Sequence, residues 1–357
     1  MSGLQYIFVH GLSGWGSYDG RYRKMPYWGM RGGDLMVWLR SEGYDCWAAS
    51  VSPAGSAWDR ACELYAQLAG TRTDYGEAHS RRCGHERYGK DFSLCPLIPS
   101  WDEQTRLVLL GHSFGGATVR LLSELLAHGS AEERECPDPS PLFLGGMESR
   151  IHSIIALASP MNGTTAYDLF MDPGFDPDAV KVPWWSKHLA AWMSKGTRPQ
   201  IDGRDPSDYA GYDMQIDHAL AMNERISTLP EVYYFSVPCN ATLCTQDGTW
   251  VPEKGMEPLF VMRSYQIGAY KGRTAGGIDI DESWRRNDGL VNTVSAMSPS
   301  SAPSRPLDRN DIRSGVWNVC PELNADHMWL QGGLMHRHDI RAFYRDLLQM
   351  VETTALP

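Results

Sequence analysis

Gly111-His112-Ser113-Phe114-Gly115 sets one hydroxyl between two glycines, directly after the apolar run Leu107-Val108-Leu109-Leu110 and before the helix-like Gly116-Ala117-Thr118-Val119-Arg120-Leu121-Leu122. A serine in such a strand-to-helix turn is held in strained backbone, where bulky neighbours would clash, so its hydroxyl projects from the strand's C-terminal end. The chemistry that fits is nucleophilic attack on an acyl carbon, with the helix N-terminus facing the developing oxyanion. A bare Gly-x-Ser-x-Gly match is chance-prone, and a glycine-rich turn that binds phosphate or simply packs closely is the competing reading. A second element counts against it. His10-Gly11-Leu12-Ser13-Gly14 follows the first apolar run as a loop of the kind that lends a backbone N–H to the oxyanion, so the expected donors are the amides of Leu12 and Phe114.

A serine hydroxyl is a poor nucleophile near neutral pH and needs a histidine to take its proton and a carboxylate to orient that histidine. Three histidines follow His218 in the chain: His327, His336 and His338. The last two flank the start of the C-terminal helix pattern, where solvated surface is the expected role. His327, in Asn324-Ala325-Asp326-His327-Met328 after the strand-like Val316-Trp317-Asn318-Val319, is the expected base. For the acid, Asp288 stands in the turn Asn287-Asp288-Gly289 before an apolar run, although a turn-forming Asp-Gly pair is its ordinary reading. Asp326 competes through proximity alone. Adjacent side chains on an extended loop tend to point apart.

The elements that must position these residues are short apolar runs alternating with helix-period segments. Tyr6–Val9, Leu107–Leu110, Ile151–Ala158 and Val232–Val237 read as buried parallel strands, uniformly apolar because helices cover both faces. Asp34–Leu39, Thr118–Ala127 and Asp339–Val351 read as helices, and the alternation predicts an α/β architecture with a mostly parallel, doubly wound sheet. Two stretches break the rhythm. Residues 70–100 carry no trusted strand or helix pattern and read as an insertion. From about 172 to 213, several prolines surround an amphipathic piece in which Trp184, Trp185, His188, Leu189, Trp192 and Met193 recur at helical spacing: a lid helix, or a surface helix seated permanently on the core.

Composition is that of an ordinary globular protein, with 357 residues, 42% hydrophobic and 21% charged. With a net charge of −10 and no stripe of Lys or Arg, nucleic acid is not an expected partner. No run approaches the roughly 18 apolar residues of a spanning helix. The start of the chain shows neither a basic region nor a cleavage site, and eight scattered cysteines read as reduced thiols. The expected location is therefore cytoplasmic, with the mature form of a secreted protein as the alternative.

These pieces coincide with a family. Along nearly its whole length the chain resembles the thermostable bacillary and staphylococcal lipases, bacterial lipase subfamily I.5, which have the α/β-hydrolase fold. The resemblance is carried by His10-Gly11-Leu12-Ser13-Gly14-Trp15-Gly16, Trp58-Asp59-Arg60-Ala61-Cys62-Glu63, Asp74-Tyr75-Gly76 with Ala78-His79, Gly163-Thr164-Thr165, Asn287-Asp288-Gly289-Leu290-Val291-Asn292-Thr293, Gly315-Val316-Trp317-Asn318 and Ile340-Arg341-Ala342-Phe343-Tyr344. It implies a Ser113, Asp288, His327 triad with oxyanion positions at Leu12 and Phe114. Phe114 departs from the family's usual glutamine, which would make the pocket wall more apolar while leaving the backbone donor intact. The resemblance also implies a structural zinc ion on Asp59, His79, His85 and Asp208; Cys83, between the histidines, is a competing ligand by position that the family pattern does not require. The family's calcium site does not carry over: Met328-Trp329-Leu330-Gln331-Gly332-Gly333 offers no acidic side chain after the histidine.

The expectation is one domain over residues 1–357. Insertion 70–100 binds zinc, and insertion 166–213 forms a short lid and supplies one zinc ligand. Trp184, Trp185, Leu189 and Trp192 are the candidate lid residues. The expected activity is hydrolysis of carboxylic esters through an acyl-enzyme, favouring short- to medium-chain acyl groups over long-chain triglycerides because the lid looks short. The alternatives are a metal-dependent hydrolase using the His79/His85 site and a non-catalytic lipid-binding relative.

Overall fold

The apolar runs become the strands of one seven-stranded sheet: β1 (Leu4–Val9), β2 (Asp45–Ala49), β3 (Arg106–His112), β4 (Ile151–Leu157), β5 (Tyr233–Val237), β6 (Ser304–Pro306) and β7 (Trp317–Val319). Their order across the sheet is β6-β7-β5-β4-β3-β1-β2, and every neighbouring pair is parallel. The structure, a computed structural model, describes residues 3–194 and 203–355.

Burial on both faces explains why these strands do not alternate between apolar and polar. Tyr6 and Phe8 of β1, Val108 and Leu110 of β3, and Ile155 and Leu157 of β4 enter one hydrophobic cluster. Their chain neighbours Ile7 and Val9, Leu107 and Leu109, and Ile154 and Ala156 enter the other. A strand places successive side chains on opposite faces, so two apolar layers require a continuous apolar run. The first cluster is closed by α1 (Leu35–Ser41), through Leu35, Met36 and Leu39, and by α7 (Arg341–Glu352), through Tyr344, Leu347, Leu348 and Val351. The second is closed by α2 (Ala57–Ala69), through Ala61, Leu64 and Leu68, and by α4 (Gly115–His128), through Val119, Leu122, Leu125 and Leu126. This is the expected doubly wound, α/β-hydrolase-like fold.

Several elements were not visible in the sequence. α2 was not read from the sequence, although Ala57, Ala61, Leu64, Tyr65 and Leu68 recur at helical spacing; buried among them are Asp59, Arg60 and Gln67. Each has a fixed task; Gln67, for instance, accepts from Ser50 N at 2.9 Å and donates to Ser50 O at 2.8 Å, fastening the end of β2. α6 (Pro258–Ala269), with Pro in its first turn, was also missed. The stretch 70–100 is more ordered than expected. It holds a short antiparallel pair, Arg72–Asp74 with Tyr88–Asp91, and α3 (Glu77–Cys83). These elements are too short to carry a period. The first turn of α3 is held by Glu133, which accepts from Ala78 N at 3.1 Å and His79 N at 2.7 Å. The amphipathic piece in the second stretch is helical, as α5 (Trp184–Ser194), and packs against α6.

Candidate active site and a metal-ligand cluster

Strand β3 ends at His112, and the chain turns at Ser113 with φ of 55°, a left-handed conformation strained for a residue with a side chain. The turn is fixed by Ser113 N donating to Leu157 O at 2.8 Å and by Gly116 N donating to Ser113 O at 3.0 Å. Its glycines are required by contact. A Cβ at Gly111 would lie 2.3 Å from Gly115 O, and one at Gly115 would lie 2.4 Å from Val9 O. The loop after β1 closes just as tightly, since a Cβ at Gly11 would lie 2.7 Å from Ser113 Cβ and 3.2 Å from its Oγ. Phe114 opens α4, where first-turn amides have no intrahelical acceptor. The Phe114 ring is fully buried with Ala57, Ala210 and Met214. It therefore fills the packing beneath the turn, where an apolar pocket wall was expected. Leu12, in the loop after β1, is 37% exposed.

His327 and Asp288 meet although 39 residues separate them: His327 Nδ1 and Asp288 Oδ2 are 2.7 Å apart, both buried. The other carboxylate oxygen accepts from Leu290 N at 3.0 Å and Val291 N at 2.8 Å, fixing its orientation. The backbone repeats the pairing, with His327 N donating to Asp288 O at 2.9 Å. The competitor Asp326 points elsewhere, accepting from Glu257 N at 2.7 Å and Met328 N at 3.0 Å.

Three buried polar groups that the motifs did not single out hold these loops together. His112 joins the serine turn to the histidine loop: Gly11 N donates to Tyr27 Oη at 3.0 Å, Tyr27 Oη and His112 Nδ1 are 2.7 Å apart, and His112 Nε2 and His327 O are 3.0 Å apart. Burial, then the neighbouring His327 charge, hold the His112 pKa well below the usual histidine range, so the ring is neutral. With the tyrosine oxygen accepting from Gly11, its proton goes to Nδ1 and the His112 Nε2–H donates to the carbonyl. Arg60, fully buried, donates from Nη1 to Ser52 O at 2.8 Å, from Nε to Thr118 Oγ1 at 2.8 Å and from Nη2 to His10 O, and lies 5.1 Å from the centre of the Phe114 ring. It thereby ties the loop after β1 to α4. Glu257, also fully buried, accepts at one oxygen from Leu334 N at 2.6 Å, Met335 N at 2.7 Å and His336 N at 3.0 Å. Arg60 lay inside a quoted motif; Glu257 and Tyr27 carried no local signal.

Asp59, His79, His85 and Asp208 also converge. His79 Nε2 lies 3.2 Å from Asp59 Oδ1 and 3.3 Å from Asp208 Oδ1, while His85 Nε2 lies 3.4 Å from Asp208 Oδ2 and 3.7 Å from Asp59 Oδ1. Ligands about 2.0 Å from a tetrahedral ion stand about 3.3 Å from one another, so this spacing fits a metal ion. His85 Nε2 is buried without a hydrogen-bond partner, as befits a metal-ligating nitrogen. His79, Cys83, His85 and Asp208 also bring one ligand atom each within 4.8 Å of one another. Around them, Ser56 Oγ donates to Asp208 at 2.7 Å, Arg204 Nη1 donates to Asp59 at 2.9 Å and Asp208 at 3.2 Å, and His79 stacks on Trp58. Burial draws the His79 pKa down, but the bonds from Asp208 and Asp59 outweigh it and raise it.

Of the candidate lid residues, Trp184 is 74% and Trp185 40% exposed, and Leu189 is partly buried. The Trp192 side chain lies outside the described residues. No helix among the described residues is long and apolar enough to cross a membrane.

If Glu257 braces the histidine loop, Glu257→Ala strands three amides. At about 1 kcal/mol for each lost bond, we expect a loss of about 2–4 kcal/mol in urea unfolding. An unchanged midpoint would mean that water replaces the carboxylate at no cost.

Comparison with known proteins identifies the family of the chain. The family model described as "Lipase-like, C-terminal domain" matches residues 4–175 and 201–353. Lipase 2 of Staphylococcus aureus is 32% identical over 352 residues, covering 90% of this chain and 49% of that protein. The chain thus spans about half the length of the curated relatives it matches. Among solved structures, EstA of Clostridium botulinum superposes with a TM-score of 0.84 at 30% identity, over 99% of this chain and 88% of that one. The Staphylococcus hyicus lipase does so at 0.81 and 30% identity, over 98% and 96%. With most of its length matched, from the first strand to the last helix, the chain belongs to the lipase-like C-terminal domain family.

Proposed function

We propose that this chain hydrolyses carboxylic esters, with Ser113 as nucleophile, His327 as general base and Asp288 orienting it. The observation that carries this reading is the buried 2.7 Å hydrogen bond between Asp288 and His327 Nδ1, on a loop tied through His112 to the strained serine turn. Such a bond leaves the histidine's Nε2 as the group that takes a proton. Ser113 Oγ attacks the ester carbonyl carbon as its proton passes to His327, and the oxyanion is met by the amides of Leu12 and Phe114. Collapse expels the alcohol with that proton, and water then hydrolyses the acyl-enzyme by the same route. The lipase names of the relatives support this reaction class.

Zinc is the proposed ion for Asp59, His79, His85 and Asp208. Imidazole and carboxylate suit it, and four protein ligands leave no open position for a reacting water, so its contribution is to cross-link α2, α3 and the segment around Asp208. The exposed Trp184 and Trp185 on α5 support its reading as a short lid over the acyl site, with short- to medium-chain esters preferred.

Ser113→Ala is expected to lower kcat on a p-nitrophenyl ester by about 10⁴-fold or more and to abolish labelling by a fluorophosphonate. Appreciable residual turnover would sink the serine mechanism, and immediate loss of activity on chelation with the fold intact would favour the metal-dependent alternative. Removing the metal should lower the melting temperature. The loss amounts to about 4 kcal/mol where free ion had stood a thousandfold above its Kd, and an unchanged melting temperature after verified metal loss would count against a structural ion. Trp184→Ala should shift acyl-chain preference across a p-nitrophenyl ester series more than it shifts stability; the reverse would make Trp184 a packing residue.

A further inference from the structure

Arg263 lies on α6 three residues after Phe260, about 4.5 Å further along the helix axis. The Phe260 ring stands edge-on to His327 at 5.9 Å, and Gly289, beside Asp288, closes directly on it. The Arg263 guanidinium lies 4.3 Å from the centre of the Phe170 ring. It also acts electrostatically on Tyr167, which packs in the cluster containing Phe114. The cation is therefore bracketed by the histidine side of the site and the side that carries the serine turn.

What distinguishes Arg263 is the absence of any hydrogen bond or ion pair among the described residues. Arg60 donates to backbone carbonyls and Thr118, and Arg120 donates to Asn223 Oδ1 at 2.7 Å. Arg263 Nη1 is buried with no hydrogen-bond partner, and no ion pair to the group exists among the described residues. Burial lowers its pKa to about 10, which still leaves it charged at neutral pH. A largely buried, unpaired guanidinium is costly, and its planar fork of donors matches a carboxylate or phosphate in two parallel bonds.

We infer that Arg263 binds an oxyanion, carboxylate or phosphate, carried by the ester substrate, so that the site selects esters with an anionic group close to the scissile bond. This inference rests on the ester-hydrolase reading. Two matched pairs test it: p-nitrophenyl butyrate against mono-p-nitrophenyl succinate, and dihexanoylglycerol against dihexanoylphosphatidic acid, both below their aggregation limits. In each pair the readout is the anionic-to-neutral ratio of kcat/KM. We expect Arg263→Met to lower that ratio tenfold to a hundredfold, the range of a charged hydrogen bond, and Arg263→Lys to restore part of it. The pair that responds identifies carboxylate or phosphate as the source. Unchanged ratios in both pairs overturn the inference alone, whereas absence of wild-type hydrolysis of p-nitrophenyl butyrate overturns the ester-hydrolase reading and this inference with it. Should Arg263→Met fail to fold, inhibition of the wild-type protein decides: butylphosphonate should bind at least tenfold more tightly than butanol, and equal inhibition overturns the inference.

Discussion

Close backbone approach around Ser113 is the constraint on which the site depends. The turn fits only because Gly11, Gly111 and Gly115 carry no Cβ: each would press within 2.7 Å of Ser113, of the following helix or of β1. That crowding sets β1, β3 and the start of α4 against one another, and it holds Ser113 at a φ of 55° that an isolated chain would leave. Ser113 sits at the carboxyl end of β3, where open parallel sheets present their ligand crevices.

Such a turn needs walls that do not yield, and the walls here are built from buried polar groups as much as from apolar ones. Arg60 and the His112–Tyr27 pair each bind backbone groups of two different loops, Glu257 gathers three successive amides of one, and each is fully or nearly fully buried. A satisfied polar network in a low-dielectric interior is directional in a way that hydrophobic contact is not, so it fixes loop geometry as well as compactness. α2 concentrates this role. Asp59 faces the metal-ligand cluster while the next residue, Arg60, reaches the loop after β1 and α4, so one helix serves both regions.

Much of the fold and site was legible from sequence. The strands at 4–9, 106–112, 151–157 and 233–237 were readable because two-sided burial forces uninterrupted apolar runs. Gly111 to Gly115 was readable because a tight turn admits few residue types, and the convergence of Asp59, His79, His85 and Asp208 was anticipated by resemblance. α2 was not read although its apolar residues keep the helical period around the buried Asp59, Arg60 and Gln67, and α3 and its neighbouring strand pair were not readable because each is too short to carry a period.

By itself, then, the sequence determined what local rules encode: the serine turn, the main buried strands, and the residue types able to do the chemistry. Only the tertiary structure decided the partnerships. It turned Asp288 toward His327 and Asp326 toward Glu257, set the Phe114 ring into packing, placed Arg204 across Asp59 and Asp208, and left Arg263 Nη1 without a hydrogen-bond partner among the described residues. The physical reason is that a hydrogen bond or ion pair depends on distance and direction between groups dozens to hundreds of residues apart, whereas periodicity and turn chemistry act over a few.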